Sequence, residues 1–248
     1  MKKFQAICLI ISGLLFFSIP AQALTVVTAS PGDTQYIQSV SEVAAGPDMN
    51  GMVITVSGLN EGGVPFTNQI GTWVTPVFQE TPPFSYAFPG AVFSGDQYLF
   101  YLLQAGDTFN NSWLLYSFYD VTLTNIIIDA LPGNVVFDRT IDGMEKTIGS
   151  GQGKDFSTSS TSISFPDLGT YMNLVALDGQ APQGDLYSTL DIQLGNGFGR
   201  LFSDSVYYEL FTADTDRIVP VPTPVSSSLM LLGSGLLGLA GLGRKYFS

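Results

Sequence analysis

Thr189-Leu190-Asp191-Ile192-Gln193-Leu194 alternates polar and aliphatic side chains without a break. A period of two places Leu190, Ile192 and Leu194 on one face of an extended strand and leaves the other face to water. Asn196-Gly197 follows, ahead of Phe198, and that dipeptide predicts a tight hairpin turn. Working outward, similar short runs rich in Val, Ile, Thr, Tyr and Phe predict strands at Tyr36–Ser41, Met52–Ser57, Thr72–Phe78, Gln97–Gln104, Trp113–Tyr119 and Val121–Asp129. Others fall at Val135–Arg139, Ser162–Phe165, Met172–Leu177, Ser188–Leu194 and Val206–Phe211. Asn50-Gly51, Asp142-Gly143 and Asp178-Gly179 mark further turns. The acids are 16 Asp against 5 Glu, which favours turns over helices. The expectation is an all-β chain: a single β-sandwich or jelly-roll-like domain, with a closed barrel as the rival. The Gly/Ser/Thr-rich stretch Gly149–Thr161 reads as a long surface loop.

Composition narrows the chemistry. The chain has 248 residues, 9 Lys+Arg, 21 Asp+Glu, no His and one Cys, for a net charge of −12. Without His, neither a Ser-His-Asp nor a Cys-His mechanism is available, and a His/Cys zinc site is excluded. One cysteine, Cys8, cannot build a disulfide framework. A strongly acidic chain repels phosphate, so nucleic acid is not an expected partner.

The two ends read as transport signals. Met1-Lys2-Lys3, the apolar run Ile7–Ile19 and Pro20-Ala21-Gln22-Ala23 form the three parts of a signal peptide, residues 1–23, with cleavage between Ala23 and Leu24. The Sec export machinery is the expected partner. The body spans 24–219 and carries all the acids, opposed there only by Arg139, Lys146, Lys154, Arg200 and Arg217. A Pro/Ser linker at 220–228 reads as an extended stalk. Val225 to Leu242 then gives 18 residues without a charge, about 27 Å as a helix, enough to cross a bilayer core. Arg244 and Lys245 close the segment 229–248 and, by the positive-inside rule, stay cytoplasmic with the body outside.

Val221-Pro222-Thr223-Pro224, the stretch Leu232-Gly233-Ser234-Gly235-Leu236-Leu237-Gly238-Leu239 and Arg244-Lys245 stand in a fixed order. This tail resembles that of the PEP-CTERM family. The family's usual Glu between the prolines is Thr223 here. The resemblance implies processing by an exosortase-like membrane enzyme and delivery to the outer surface of a Gram-negative envelope, in company with exopolysaccharide. Some body phrases, among them Gly46-Pro47-Asp48-Met49-Asn50-Gly51 and Gly184-Asp185-Leu186-Tyr187, also resemble those of secreted members and bring no activity with them.

Within the body, paired carboxylates are what a His-free hydrolase would use. Asp138 with Asp142 and Asp120 with Asp129 are the candidate pairs, against the reading that they are solvated turn residues. No cofactor is expected. Ca²⁺ alone is compatible with clustered carboxylate oxygens, at Asp214-Thr215-Asp216 or at Asp138, Asp142 and Glu145, neither of which has EF-hand spacing. Trp73, Trp113, Tyr98–Tyr101 and Tyr116–Tyr119 are candidates for stacking on sugar rings. Core packing leads for both tryptophans, with Trp73, between Gly71 and Pro76, the better placed to be exposed. Ser157–Ser164 could accept O-glycans. Gly149, Gly151 and Gly153 lack the Lys-Ser/Thr that a phosphate loop requires. The sequence thus favours an exported, non-enzymatic surface or matrix protein. A lectin-like sandwich and a carboxylate-dependent glycan hydrolase are the alternatives.

Overall fold

In the computed structural model the backbone is described for residues 34–41, 44–77, 88–117, 119, 121–141, 146–158, 169–198 and 207–219. All lie within one structural unit, Val26–Val219. The strands are β1 Gln35–Ile37, β2 Val40–Ser41, β3 Val53–Leu59, β4 Pro65–Thr72, β5 Val74–Val77, β6 Phe88–Gly95, β7 Tyr98–Gln104 and β8 Trp113–Ser117. They continue as β9 Thr122–Asp129, β10 Val135–Asp138, β11 Ser157–Thr158, β12 Gly169–Leu177, β13 Leu186–Phe198, β14 Tyr207–Thr212 and β15 Asp214–Ile218. Two 3-10 turns, Gly46–Met49 and Leu131–Gly133, are the only helical pieces among the described residues. No helix among them is long and apolar enough to cross a membrane. The chain is therefore all-β over its described part.

The strands form two sheets. The larger runs β2-β15-β10-β13-β9-β3-β4, with β12 also paired to β13 and β1 lying parallel to β12. The smaller runs β11-β14-β8-β7-β6-β5. Successive side chains of β3 and β8 alternate between buried and half-buried, the expected signature of strands with one core face. At 13 residues, β13 is long enough to take β9 and then β10 along one side. The Leu131–Gly133 turn diverts the chain between those two pairings.

Ile54, Val56, Leu123, Ile128, Leu190 and Ile192 from the larger sheet share a core with Phe93, Phe100, Leu102, Leu115 and Phe211 from the smaller. At two single-residue corners the chain passes directly from one sheet to the other. One is Trp73, between β4 and β5, and the other is Ala213, between β14 and β15. Both tryptophans serve those corners. Trp73 is fully buried and its indole N–H donates to the Gly46 carbonyl at 2.9 Å. Trp113 is equally buried and donates to the Ala213 carbonyl at 2.8 Å. Their rings meet edge to face at 5.3 Å, so one aromatic pair links the corners.

Several local expectations change. Asn196-Gly197 lies inside β13 and not in a hairpin turn, at the register shift between Gln193 and Phe198 where β13 stays paired to β9. A bulge absorbs the irregularity that turn chemistry would otherwise have spent on a reversal. The expected strand Tyr36–Ser41 is split into β1 and β2, which join different partners. The expected strand Thr72–Phe78 is split by Trp73. β4, β6, β11 and β15 were not foreseen. Asn50-Gly51 does turn, with Gly51 at φ +102°, and Asp178-Gly179 turns as expected. Asp142-Gly143, the expected strand Ser162–Phe165 and both chain ends lie outside the described residues.

Candidate functional site

Asp138 ends β10 and pairs directly with Asp214, which opens β15. Asp216, two residues on, therefore shares a face with Asp214, and cross-strand pairing brings Asp138 to the same face. The intervening pair, Phe137 and Thr215, faces the other way, where Phe137 packs near Trp113 and the Thr215 hydroxyl meets the Met49 sulfur. The result is a cluster of three carboxylates, one oxygen from each lying within 4.8 Å of the others. Each of the three residues is at most 1 % exposed.

A roof over this cluster is made by the segment 146–156, most of which belongs to the stretch Gly149–Thr161 that sequence alone reads as a surface loop. Asp185 fixes its start: the Thr147 N–H and hydroxyl donate to the two oxygens of that buried carboxylate, each at 2.7 Å. The Ser150 hydroxyl closes back on the Thr147 carbonyl at 2.8 Å. Gly153 then passes so near Asp138 that a Cβ there would sit 2.6 Å from the Asp138 Cγ. The glycine is needed for close approach, not for phosphate. The Lys154 N–H donates to the Asp138 carbonyl at 3.1 Å, and the Asp214 N–H donates to the Lys154 carbonyl at 3.3 Å, so the roof continues the hydrogen-bond ladder at the end of the β10–β15 pair. The Lys154 ammonium donates to the Phe109 carbonyl and lies 5.0 Å from that ring's centre. Beyond it, Ser157 and Thr158 pair with β14 of the other sheet.

Electrostatics follow from burial. Loss of water pushes the Asp214 carboxyl up to about 6, and Asp107 adds to the rise. The Thr108 hydroxyl, the Thr215 N–H and the Lys154 charge pull the other way. Thr108 donates to Asp214 Oδ1 at 2.7 Å, and the Thr215 N–H donates to the same oxygen at 2.9 Å. Carboxylates held this close and away from water repel one another strongly wherever they are ionised. A hard cation, whose oxygen preference suits this donor set, would offset that repulsion. The residues able to hold such an ion are Asp138, Asp214 and Asp216. Catalysis on a glycan fits poorly, since the hydrolytic pair must flank a substrate bond and this cluster lies beneath its roof.

The sequence-derived candidates separate clearly. Asp138 and the pair Asp214 and Asp216, read as two independent clusters, are one site. Asp129 lies half-buried at the end of β9, where burial raises its carboxyl, and takes no part in the cluster. Asp142, Glu145, Asp120, Ala23, Leu24, Val221, Pro222, Thr223, Pro224, Arg244 and Lys245 lie outside the described residues. Trp73, the better placed of the two tryptophans to meet a sugar, is a core residue instead. Sequence reasoning did not single out Thr147, and Thr108 and Asp185 fall in phrases, Gly106-Asp107-Thr108-Phe109 and Gly184-Asp185-Leu186-Tyr187, to which it assigns no role. For β15 a signal existed, since Asp214-Thr215-Asp216-Arg217-Ile218 has the period of a strand, but the sequence reading takes Asp214-Thr215-Asp216 only as an oxygen cluster compatible with Ca²⁺. A second charged group lies nearby: the Arg139 guanidinium sits 4.9 Å over the Tyr171 ring and pairs with Asp155 at 2.8 Å.

Comparison of the chain with protein-family models, with curated proteins and with solved structures finds no match to any of them.

Proposed function

We propose that this chain is an exported, non-enzymatic protein of the cell surface or extracellular matrix, a single β-sandwich of jelly-roll-like character released between two transport signals. The observation that carries the reading is the ordered tail Val221-Pro222-Thr223-Pro224, the uncharged span Val225–Leu242 and Arg244-Lys245, set against the basic, apolar, Ala-x-Ala leader at the other end. The tail resembles that of PEP-CTERM proteins, which makes an exosortase-like enzyme the processing partner and an exopolysaccharide matrix the setting. Two features of the two-sheet body bear on the alternatives. Its carboxylates best placed for cooperative chemistry are roofed over, and its tryptophans are core. The lectin-like reading thereby loses its candidate stacking residue, Trp73.

Mass spectrometry of the protein recovered from the cell surface tests the proposal. The expected product begins at Leu24 and ends near Val221–Pro224. A surface product that keeps the whole apolar C-terminal span would replace sorting with plain anchoring. A full-length chain recovered from the cytosol would end the export reading altogether.

A further inference from the structure

Beside the acid cluster the roof carries a charged pair that the cluster does not use. The Lys154 N–H bonds the Asp138 carbonyl, so the residues that follow each of them, Asp155 and Arg139, leave the ladder side by side. Arg139 Nε donates to Asp155 Oδ1 at 2.8 Å. The guanidinium lies 4.9 Å from the centre of the Tyr171 ring and 6.0 Å from that of Tyr187. Those rings, from β12 and β13, sit 5.6 Å apart with planes inclined by 43°. The surroundings are themselves fixed. The Arg139 N–H donates to the carbonyl of Asp185, whose carboxylate holds Thr147, and Tyr171 packs edge to face on Phe137. Even so, 37 % of the Arg139 side chain and 43 % of the Asp155 side chain are open to solvent. Among the described residues only Nε and Oδ1 of this pair are joined, so both Nη groups of Arg139 and Asp155 Oδ2 remain to meet a partner from solution.

We infer that Arg139, Asp155 and Tyr187 form a binding subsite for a neutral saccharide, read through two adjacent hydroxyl groups. The pair sets donors directly beside an acceptor, and a sugar hydroxyl is both. One hydroxyl accepts from a first Nη and donates its own proton to Asp155 Oδ2, while its neighbour accepts from the second Nη. The guanidinium is already held flat by the tyrosines and by Nε, so little side-chain freedom is lost when a rigid ring delivers both hydroxyls together. The half-buried Tyr187 ring supplies apolar surface for the C–H face of that sugar. Charge selects against an acidic sugar or a free anion. Asp155 already offsets the Arg139 charge and would stand beside an incoming carboxylate, in a chain of net charge −12. This inference goes beyond the surface role proposed above, and it stands on the geometry of the pair, not on the transport signals.

The probes are neutral oligosaccharides of glucose, mannose, galactose and xylose, with oligogalacturonate as the acidic counterpart. The full chain, held in a detergent without a sugar headgroup, is titrated with each and followed by saturation transfer to the sugar protons. The expected result is binding of at least one neutral oligosaccharide and none of oligogalacturonate. Arg139→Lys keeps the charge and loses the planar fork, and Asp155→Asn keeps the shape and loses the charged acceptor. Each should weaken binding about tenfold or more, the worth of one charge-assisted hydrogen bond. Thr124→Val, at an exposed position of the larger sheet, should leave binding unchanged. Unfolding followed through Trp73 and Trp113 fluorescence checks that each variant is folded, and Asp155→Asn, at the more exposed position, decides alone if Arg139→Lys is not. No binding of any neutral oligosaccharide, tighter binding of oligogalacturonate, or neutral binding that survives these substitutions would overturn the inference.

Discussion

Replacing Asp214 by Asn is the most informative single change to the body. The parent carboxyl is raised from 3.8 to about 6 in the folded chain. A raised acid binds its proton more tightly when folded, so the folded state holds more protons than the unfolded one between those values. The linked stability is therefore fully present below pH 3.8 and is lost as pH rises through about 6. At about 1.4 kcal/mol per unit, the difference amounts to roughly 3 kcal/mol of destabilisation at neutral pH. The groups facing Asp214 are Asp138 and Asp216 from the cluster, Asp107, and Lys154 from the roof. Asn keeps a carbonyl oxygen to accept from the Thr108 hydroxyl and the Thr215 N–H, while its amide can donate to the remaining carboxylates. The expected outcome is a gain of up to about 3 kcal/mol at pH 8, seen as a rise of about 1 M in the urea midpoint. Parent and variant should converge towards pH 4. Urea unfolding of the full chain in EDTA, followed through the fluorescence of Trp73 and Trp113, measures this between pH 4 and 8. Parallel pH profiles for the two proteins, or a variant less stable at pH 8, would refute the account of a carboxyl strained by burial.

Gly153→Ala puts a methyl group against the Asp138 backbone and carboxyl carbon at 2.6 Å, and the forced shift of the roof should cost about 1–3 kcal/mol by thermal unfolding. Thr108→Val removes a buried donor to Asp214 while keeping the side chain's shape, and should cost about 1–3 kcal/mol at pH 8, with less loss near pH 4, where the protonated carboxyl no longer needs that donor. Trp113→Ala opens a cavity at the corner held by the Ala213 carbonyl and should cost about 3–5 kcal/mol, read from the urea midpoint.

Strand centres were legible where one face alone is buried. β3, β8 and the Thr189–Leu194 portion of β13 announce themselves through alternation. The missed strands share a physical reason for being missed. β4 opens with Pro65 and carries Asn68 at φ +50°, and β6 contains Pro89-Gly90, all residues that read as punctuation. β15 failed for a different cause: its acids sit at core-like positions because residues more than fifty positions away in sequence fold over them. Burial of Asp138, Asp214 and Asp216 is a property of strand pairing and of the Gly153 approach, so no local window contains it. Asn196-Gly197 shows the converse, a strong local turn signal overruled by continued pairing to β9.

The carboxylate cluster and the apolar outer face of the smaller sheet violate the same rule in opposite directions. One places charge where water is excluded, and the other places leucine and tyrosine on a side of the sheet that an ordinary sandwich leaves polar. Neither results from weak folding pressure, because the same strands are correctly patterned elsewhere: Phe137 and Thr215 turn inward beside the acids, and Trp113 and Leu115 turn inward beside Leu114 and Tyr116. Each departure also extends over neighbouring strands in register, which scattered substitutions would not produce. β10 and β15 supply the acids as facing positions, and β6, β7, β8 and β14 supply the outer rows as continuous lines. Departures of this kind, aligned across neighbouring strands, are set by tertiary pairing and not by local preference. At the acids the cost of that pairing shows in Asp214, whose carboxyl burial pushes up to about 6.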